Sequence, residues 1–136
     1  LTSLKNAIES MDNLYKEISK EANLSNLSAV LLLGIKAGFI QNFEFTYEMS
    51  WKHIKRWLGN NYDYTIVDGV TRRQLFRLAF ENGLIDSIDK WMDFHNARNR
   101  TSHTYNIVTA EEVYITALEF LPEAKKLYSI LEVKND

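Results

Sequence analysis

The chain has 136 residues, 46% of them hydrophobic, and a formal net charge of −2. It contains no cysteine, which excludes disulfides, thiolate metal sites and cysteine nucleophiles. A charge this close to neutral argues against a protein that coats nucleic acid through a broad basic surface, although it leaves room for a local cationic pocket. Five glycines, one proline and no strand-like alternation predict one all-α domain over residues 1–136, an antiparallel up-and-down bundle of four to five helices.

The longest apolar run, Ala29 to Leu33, is far too short to span a bilayer. The N-terminus lacks the basic segment followed by an apolar segment that is typical of a signal peptide. We therefore expect a cytoplasmic protein with no membrane partner.

The first predicted helix has apolar residues every three or four positions and charged residues on the opposite face. Its stripe consists of Leu4, Ala7, Ile8, Met11, Leu14, Ile18 and Ala22. This pattern is typical of a surface helix in a bundle. A polar break follows over Asn23 to Ser28, in which Ser25 or Ser28 is available to cap the next helix.

The second predicted helix, about Ser28 to Leu58, differs because its apolar residues cover more than one face. They are Phe39, Ile40, Phe43, Phe45, Tyr47, Met49, Trp51, Ile54, Trp57 and Leu58. A helix that is apolar on several sides must be buried on several sides, so we expect a homodimer with this helix near the interface. The alternative is a central helix that is wrapped entirely by its own chain.

Glu44, Glu48 and Lys52 form an i, i+4 ladder on the second helix. Such a ladder is usually a solvated stripe with one ion pair. The sharper interpretation is that Glu48 or Glu44 turns inward to orient Arg98 or His103.

Gly59-Asn60-Asn61 is expected to end the second helix, and Tyr62 to Gly69 is expected to be an irregular connection. The third helix is predicted from about Thr71 to Asn82, with Gly83 as its stop. Asp86 is then expected to cap a fourth helix.

Three arginines, Arg72, Arg73 and Arg77, carry positive charge along the third helix. Such residues usually form solvated surface. The functional alternative is that they extend a track for phosphates.

The fourth helix has an apolar stripe formed by Ile88, Trp91, Met92 and His95. His95 is predicted to be a packed, hydrogen-bonded residue rather than a catalyst. A metal site built from Asp93, His95 and His103 is disfavoured, because the two histidines are eight residues apart and lack a paired ligand pattern.

The last helix is predicted to start at Thr109-Ala110-Glu111-Glu112, which has the capping-box arrangement. Pro122 is expected to kink this helix or split it in two. Its inner side consists of Val113, Ala117, Phe120, Leu121, Ala124, Leu127, Tyr128 and Leu131.

The segment from Arg98 to Tyr105 combines a fixed cation, an imidazole and a phenol within eight residues. Arginine suits phosphate oxygens, histidine transfers a proton near neutral pH, and tyrosine offers a nucleophilic hydroxyl. On one unbroken helix Arg98 and His103 would point about 140° apart, so the helix should end or deform near Thr101-Ser102. Together these groups can hold a phosphate.

An Arg followed by four residues, a His, one residue and a Tyr resembles the motif of HEPN-domain proteins. Those positions are Arg98, His103 and Tyr105 here, and the polar residue Asn99 directly after the Arg also fits that pattern.

Two further blocks, Phe43 to Lys52 and Ala79 to Ile85, resemble one branch of this superfamily. That branch is the nucleotidyltransferase substrate-binding proteins, relatives of the HepT toxins. The resemblance extends over nearly the whole chain, from about Leu4 to Leu131.

The resemblance implies a protein that assembles with a small nucleotidyltransferase encoded nearby and binds a nucleotide or another phosphate-bearing substrate at a dimer cleft. It also implies the toxin role in a toxin-antitoxin pair, with Tyr105 as the acceptor of adenylyl groups. The chain is not itself the transferase, because it has no Gly-Ser dipeptide and no Asp-x-Asp carboxylate pair. No cofactor is expected, and any Mg-ATP would belong to the partner.

The resemblance also implies an alternative, a metal-independent endoribonuclease with Arg98 and His103 as catalytic residues. His103 would move a proton as a ribose 2′-hydroxyl attacks the neighbouring phosphate, and Arg98 would stabilise the growing charge. A second subunit would supply the second histidine. Asn99, Ser102 and Tyr105 are the expected substrate-binding residues.

The third interpretation is a non-catalytic structural or interaction bundle. In that case Arg98 would cap carbonyls at its helix end, and His103 and Tyr105 would satisfy the loop that follows.

Overall fold

The structure, a computed structural model, describes residues 1–20 and 24–134. Its helices are α1 (Thr2–Ile18), α2 (Ala29–Asn61), α3 (Tyr64–Val67), α4 (Arg72–Glu81), α5 (Ile88–Asn99) and α6 (Ile107–Val133), with a 3-10 turn at Thr101–His103 between the last two. The described residues contain no strand. The predicted all-α bundle is confirmed, and the segment predicted as an irregular connection contains the short helix α3.

Helix α1 packs its apolar stripe against α2 and α6. The stripe residues Leu4, Ala7, Ile8 and Met11 are buried, and Leu14 and Ile18 are partly buried against the core. The predicted stripe is thus confirmed up to Ile18, whereas Ala22 lies outside the described residues.

Helix α2 starts as predicted, because Ser28 Oγ accepts a hydrogen bond of 3.2 Å from the Leu31 amide. It ends at Asn61, within the predicted stop Gly59-Asn60-Asn61. The ring of Tyr64 lies directly over Gly59, where a Cβ atom would collide with it. Gly59 therefore also permits the close packing of α3 on α2.

The chain's own helices bury several faces of α2. The buried apolar residues are Phe39, Ile40, Phe43, Tyr47, Ile54, Trp57 and Leu58. The wrapped-helix alternative therefore accounts for most of the apolar residues predicted to cover several faces of this helix. In that set Phe45 is different, since 56% of it remains exposed.

Phe120 of α6 forms the centre of the aromatic core. Its ring makes edge-to-face contacts with Phe43, Trp91 and Phe94 at centroid distances of 5.2, 5.8 and 5.1 Å, and with Tyr47 at 6.3 Å. These partners come from α2 and α5, so one ring joins three helices.

Helix α4 has a capping box at its start and the predicted glycine stop at its end. Thr71 and Gln74 form a reciprocal capping box at its start. At its end Gly83 has φ +73°, and the amides of Gly83 and Leu84 donate to the carbonyls of Phe80 and Ala79. This is the Schellman arrangement that favours glycine.

The predicted cap of α5 was wrong by one residue, and the observed cap of α6 lies three residues before the predicted start. Ser87, not Asp86, caps α5, with its Oγ accepting from the Lys90 amide at 3.1 Å. Asn106 caps α6 by accepting from the amides of Val108 and Thr109 at 2.9 and 3.2 Å. Thr109 therefore lies inside the first turn of α6.

Pro122 does not split α6, which is continuous from Ile107 to Val133. The residues on either side of the proline, Leu121 and Glu123, are both buried. Packing on both sides holds the helix together where the backbone lacks one hydrogen bond. Over residues 1–20 and 24–134, no helix is both long and apolar enough to cross a membrane.

Candidate functional site

The predicted interruption after Arg98 is confirmed. Helix α5 ends at Asn99, and the 3-10 turn follows at Thr101–His103. Thr101 Oγ1 donates to the Arg98 carbonyl at 2.9 Å, and Thr104 Oγ1 donates to the Thr101 carbonyl at 3.1 Å. These hydroxyls satisfy carbonyls at the end of the helix and so favour the turn.

Arg98 lies against two carboxylates of α2. Its Nε is 3.1 Å from Glu48 Oε1, and its Nη2 is 3.3 Å from Glu44 Oε1. Its Nη1 donates to Thr101 Oγ1 at 3.3 Å. Both glutamates of the ladder therefore contact Arg98, and in the described residues neither is paired with His103.

The Nε of Arg98 is also buried, and no acceptor in the described residues meets it in hydrogen-bond geometry. Glu48 is close enough to neutralise the guanidinium but is not aligned with the N–H direction. The contact is therefore an ion pair.

His103 and Tyr105 form a second group on the far side of the turn. Both are exposed, Tyr105 to 85%, and their ring centroids are 6.2 Å apart at an interplanar angle of 71°. In the part of the chain that the structure describes, no hydrogen bond or ring contact joins Arg98 to either of them. One chain thus places the rings of His103 and Tyr105 in contact and pairs Arg98 of α5 with the glutamates of α2, while Ser102 is exposed on the turn.

Asn99 is anchored through His95. Its Nδ2 is 3.3 Å from His95 Nε2, and His95 Nδ1 is 3.0 Å from the hydroxyl of Tyr47. The prediction that His95 is a packed, hydrogen-bonded residue is confirmed. Burial raises the pKa of Tyr47 above its ordinary value.

The pKa of His95 is lowered from its ordinary value, first by burial and then by the positive charges of Arg72 and Arg98, while Glu48 opposes the shift. As the pH falls, His95 of the unfolded chain therefore takes up a proton at a higher pH than His95 of the native chain. The free energy of unfolding should be fully retained above about pH 6.5 and should fall as the pH drops through and below that value.

His95→Asn tests this pH dependence, because it keeps a polar group near Tyr47 but does not titrate. We expect the loss of unfolding free energy between about pH 7.5 and about pH 5.5 to be smaller in the variant than in the native protein. Denaturant unfolding at both pH values measures it. Equal losses in the two proteins would show that His95 does not contribute.

Trp51 and Arg72 support the Arg98 site, although neither was predicted from the sequence to belong to it. Trp51 Nε1 donates to Glu48 Oε2 at 3.0 Å, and the Arg72 guanidinium lies 3.5 Å from the centroid of the Trp51 ring. The i, i+3 spacing of Glu48 and Trp51 was the available signal. Arg73 and Arg77 are exposed, as the solvated-surface interpretation predicts.

A cavity of about 330 Å³ lies beside Tyr105, between α2 and the start of α6. Its walls include the apolar side chains of Leu33, Ile40 and Ile107. Lys36 and Glu111 form an ion pair of 2.7 Å on its lining. The surroundings of Tyr105 are thus largely apolar and close to neutral in charge.

Metal-binding groups do not converge in the described residues, where no three His, Asp or Glu side chains are close enough to share an ion.

Comparison with known proteins identifies the relatives of this fold and motif. Residues 1–133 match the family model described as nucleotidyltransferase substrate binding protein like. A Haemophilus influenzae protein named probable ribonuclease HepT is 39% identical over 100 residues, which cover 73% of this chain and 68% of that protein.

Two solved structures have the same fold. HI0074 of Haemophilus influenzae, described as the substrate binding domain of a nucleotidyltransferase, superposes with a TM-score of 0.90 at 32% identity, covering 95% of this chain and 96% of that one. A protein from Thermus thermophilus superposes with a TM-score of 0.71 at 23% identity, covering 94% and 98%. The chain belongs to the nucleotidyltransferase substrate-binding protein family.

Proposed function

We propose that this protein is the HEPN-type partner of a small nucleotidyltransferase encoded nearby and presents Tyr105 to it as the acceptor of a nucleotidyl group. The observation that carries the proposal is the 85% exposure of Tyr105 beside His103 on a turn of defined geometry. In this role the chain is the toxin component of a toxin-antitoxin pair, and modification of Tyr105 controls it.

The chemistry requires one nucleophile and one proton acceptor from this chain. The Tyr105 hydroxyl oxygen bonds to the α-phosphorus of a nucleoside triphosphate held by the partner, and the bond from that phosphorus to the pyrophosphate oxygen breaks. Pyrophosphate leaves, and the phenolic proton passes to His103. Mg²⁺ bound by the partner supplies charge neutralisation at the phosphates.

The surface around Tyr105 fits contact with another protein. Several large apolar side chains at this end of the molecule are more than half exposed, namely Val30, Leu31, Ile107 and Val108. Exposed apolar patches of this kind mark interaction sites in soluble proteins. A transferase that reaches Tyr105 would cover them.

The test is incubation of the purified chain with the small nucleotidyltransferase encoded beside it and Mg-ATP, followed by intact mass measurement. We expect a mass gain of one or more adenylyl groups. An unchanged mass, with a transferase that is active on itself or on another acceptor, would reject Tyr105 as an acceptor.

We further propose that two copies pair across the outward face of α2, so that the two Arg98–Tyr105 segments flank one cleft for a phosphate-bearing substrate. Phe45 supports this, since it is 56% exposed on the same helix as Glu44 and Glu48. The native protein should have the solution mass of a dimer at micromolar concentration, and Phe45→Glu that of a monomer. A monomeric native protein would contradict the pairing.

The second candidate function is metal-independent cleavage of RNA, favoured by the 39% identity to a probable ribonuclease and by the exposure of His103. His103 of one copy removes the proton of the ribose 2′-hydroxyl as its oxygen attacks the adjacent phosphorus. His103 of the other copy protonates the departing 5′ oxygen. Arg98 stabilises the phosphoryl oxygens, and Asn99 and Ser102 position the RNA substrate.

Cleavage of single-stranded RNA in EDTA tests the second candidate. His103→Ala and Arg98→Ala should each lower the rate by about 100-fold or more. Arg73→Ala is the control, because Arg73 is exposed on α4 and lies 3.9 Å from Asp89. Native protein that leaves RNA intact, or His103→Ala that cleaves at the native rate, would exclude the ribonuclease.

A further inference from the structure

The two glutamates on Arg98 differ in how firmly each is held. Glu48 uses both oxygens, since Oε1 lies 3.1 Å from Arg98 Nε while Oε2 accepts from Trp51 Nε1 at 3.0 Å. Trp51 is itself covered by the guanidinium of Arg72. Glu44 is different, because within residues 1–20 and 24–134 its carboxylate has Arg98 as its sole partner.

The two edges of the Arg98 guanidinium also differ in accessibility. Its Nε is buried, so a molecule arriving from solvent cannot reach it. The side chain as a whole is 30% exposed, and the Glu44 side chain on the Nη edge is 40% exposed. A ligand can therefore meet Arg98 at the Nη atoms, where Glu44 now lies.

We propose that Glu44 is an exchangeable carboxylate that a phosphate of the nucleotide substrate replaces on Arg98, while Glu48 stays in place and orients the guanidinium. The inference rests on the proposed function, because it states how a phosphate-bearing substrate enters this site. A phosphate offers several acceptors to the planar guanidinium fork, whereas Glu44 contributes one contact of 3.3 Å. Glu44 thus lowers the affinity for other anions, and Glu48 acts as a positioning residue.

The pair Glu44→Gln and Glu48→Gln separates this inference from general electrostatics. Each variant removes one negative charge at a similar distance from the same guanidinium and leaves side-chain volume nearly unchanged. Charge alone therefore predicts that both variants bind phosphates more tightly, to a similar degree.

If only Glu44 is displaced, the two variants should change the affinity for phosphates in opposite directions. In Glu44→Gln a neutral amide is displaced more easily, so affinity should rise by about 3-fold to 10-fold. In Glu48→Gln the amide oxygen can keep the hydrogen bond from Trp51 Nε1, but the neutral group no longer forms the ion pair that holds the buried Nε of Arg98. Arg98 then loses its orientation, and affinity should fall.

The probes are AMP for a phosphate monoester and a short 2′-O-methyl RNA for a phosphodiester, which cannot be cleaved because its 2′-hydroxyl is blocked. Titrations of the native protein, both variants and Arg98→Ala give the dissociation constants. Thermal unfolding of each variant checks that it is folded. If Glu44→Gln binds only one of the two probes more tightly, that probe identifies the kind of phosphate that replaces Glu44 on Arg98.

NMR of the native protein provides a second readout that does not depend on any variant. Addition of the probe should shift the Arg98 Nε–H resonance and leave the Trp51 Nε1–H resonance in place, because Glu48 keeps its contact with the indole. A matching shift of the Trp51 resonance would show that Glu48 is the carboxylate that leaves.

Failure of the Glu44 exchange gives a different result from failure of the phosphate-binding role of the site. Binding that depends on Arg98 but changes in the same direction in both Gln variants overturns the inference alone. Binding that is absent from the native protein and from Glu44→Gln, or that is unchanged in Arg98→Ala, overturns both the inference and the phosphate-binding role of this site.

Discussion

Tyr105→Phe should abolish transfer of a nucleotidyl group to this chain, and His103→Ala should slow it by about 100-fold or more. Phenylalanine keeps the ring that faces His103 but lacks the oxygen that forms the new bond. Without His103, the proton of the phenol must pass to water instead of to a neighbouring imidazole. The rate of mass gain with the partner transferase and Mg-ATP measures both effects.

Tyr62→Phe is the matched control for that experiment. Tyr62 is also exposed, at 58%, but it lies between α2 and α3, and its hydroxyl donates to Asn82. The control should gain mass at the native rate. Modification of Tyr105→Phe at the native rate would assign the acceptor to another residue.

Phe120→Ala should lower the free energy of unfolding by about 3–5 kcal/mol. The Phe120 ring is fully buried and contacts aromatic rings from α2 and α5. Its removal leaves a cavity that three helices cannot close without moving, and it also removes the edge-to-face ring contacts. Chemical denaturation measures the change through the midpoint at constant slope.

Phe80→Ala makes the same substitution at a ring that is 48% exposed on α4. It should cost less than half as much as the core substitution, because water already reaches much of that ring. Equal losses for Phe80→Ala and Phe120→Ala would contradict the central position of Phe120 in the core.

The sequence was sufficient to predict features that are stabilised by interactions between residues close together in the chain. The stripe of α1, the Ser28 cap and the Gly83 stop depend on neighbouring residues and on backbone conformation. The break after Arg98 followed from the same kind of argument, since the Thr101 hydroxyl bonds a carbonyl three residues earlier.

Elsewhere tertiary packing decided the outcome. The ring of Tyr64 packs directly over Gly59 of α2, and this contact is invisible in a pattern of helix propensities. Pro122 is tolerated inside α6 because buried residues flank it. Ser87 and Asp86 are both suitable caps in sequence, and Asp86 instead lies 3.6 Å from Lys126 Nζ.

At the candidate site, too, local features could be predicted from the sequence and contacts between distant segments could not. The sequence identified Arg98, His103 and Tyr105 as chemical groups, and the ladder of Glu44 and Glu48 as a means of orienting Arg98. It did not predict that both glutamates would pair with Arg98. Those contacts depend on which face of α2 meets the end of α5, a question of packing between distant segments.

Peptide mapping of the native chain after reaction with its partner transferase and Mg-ATP locates the modified residue. We expect the peptide containing the 3-10 turn and the start of α6 to carry the nucleotidyl group, on the oxygen of Tyr105. A group found instead on another exposed tyrosine, such as Tyr62 or Tyr64, would contradict this proposal.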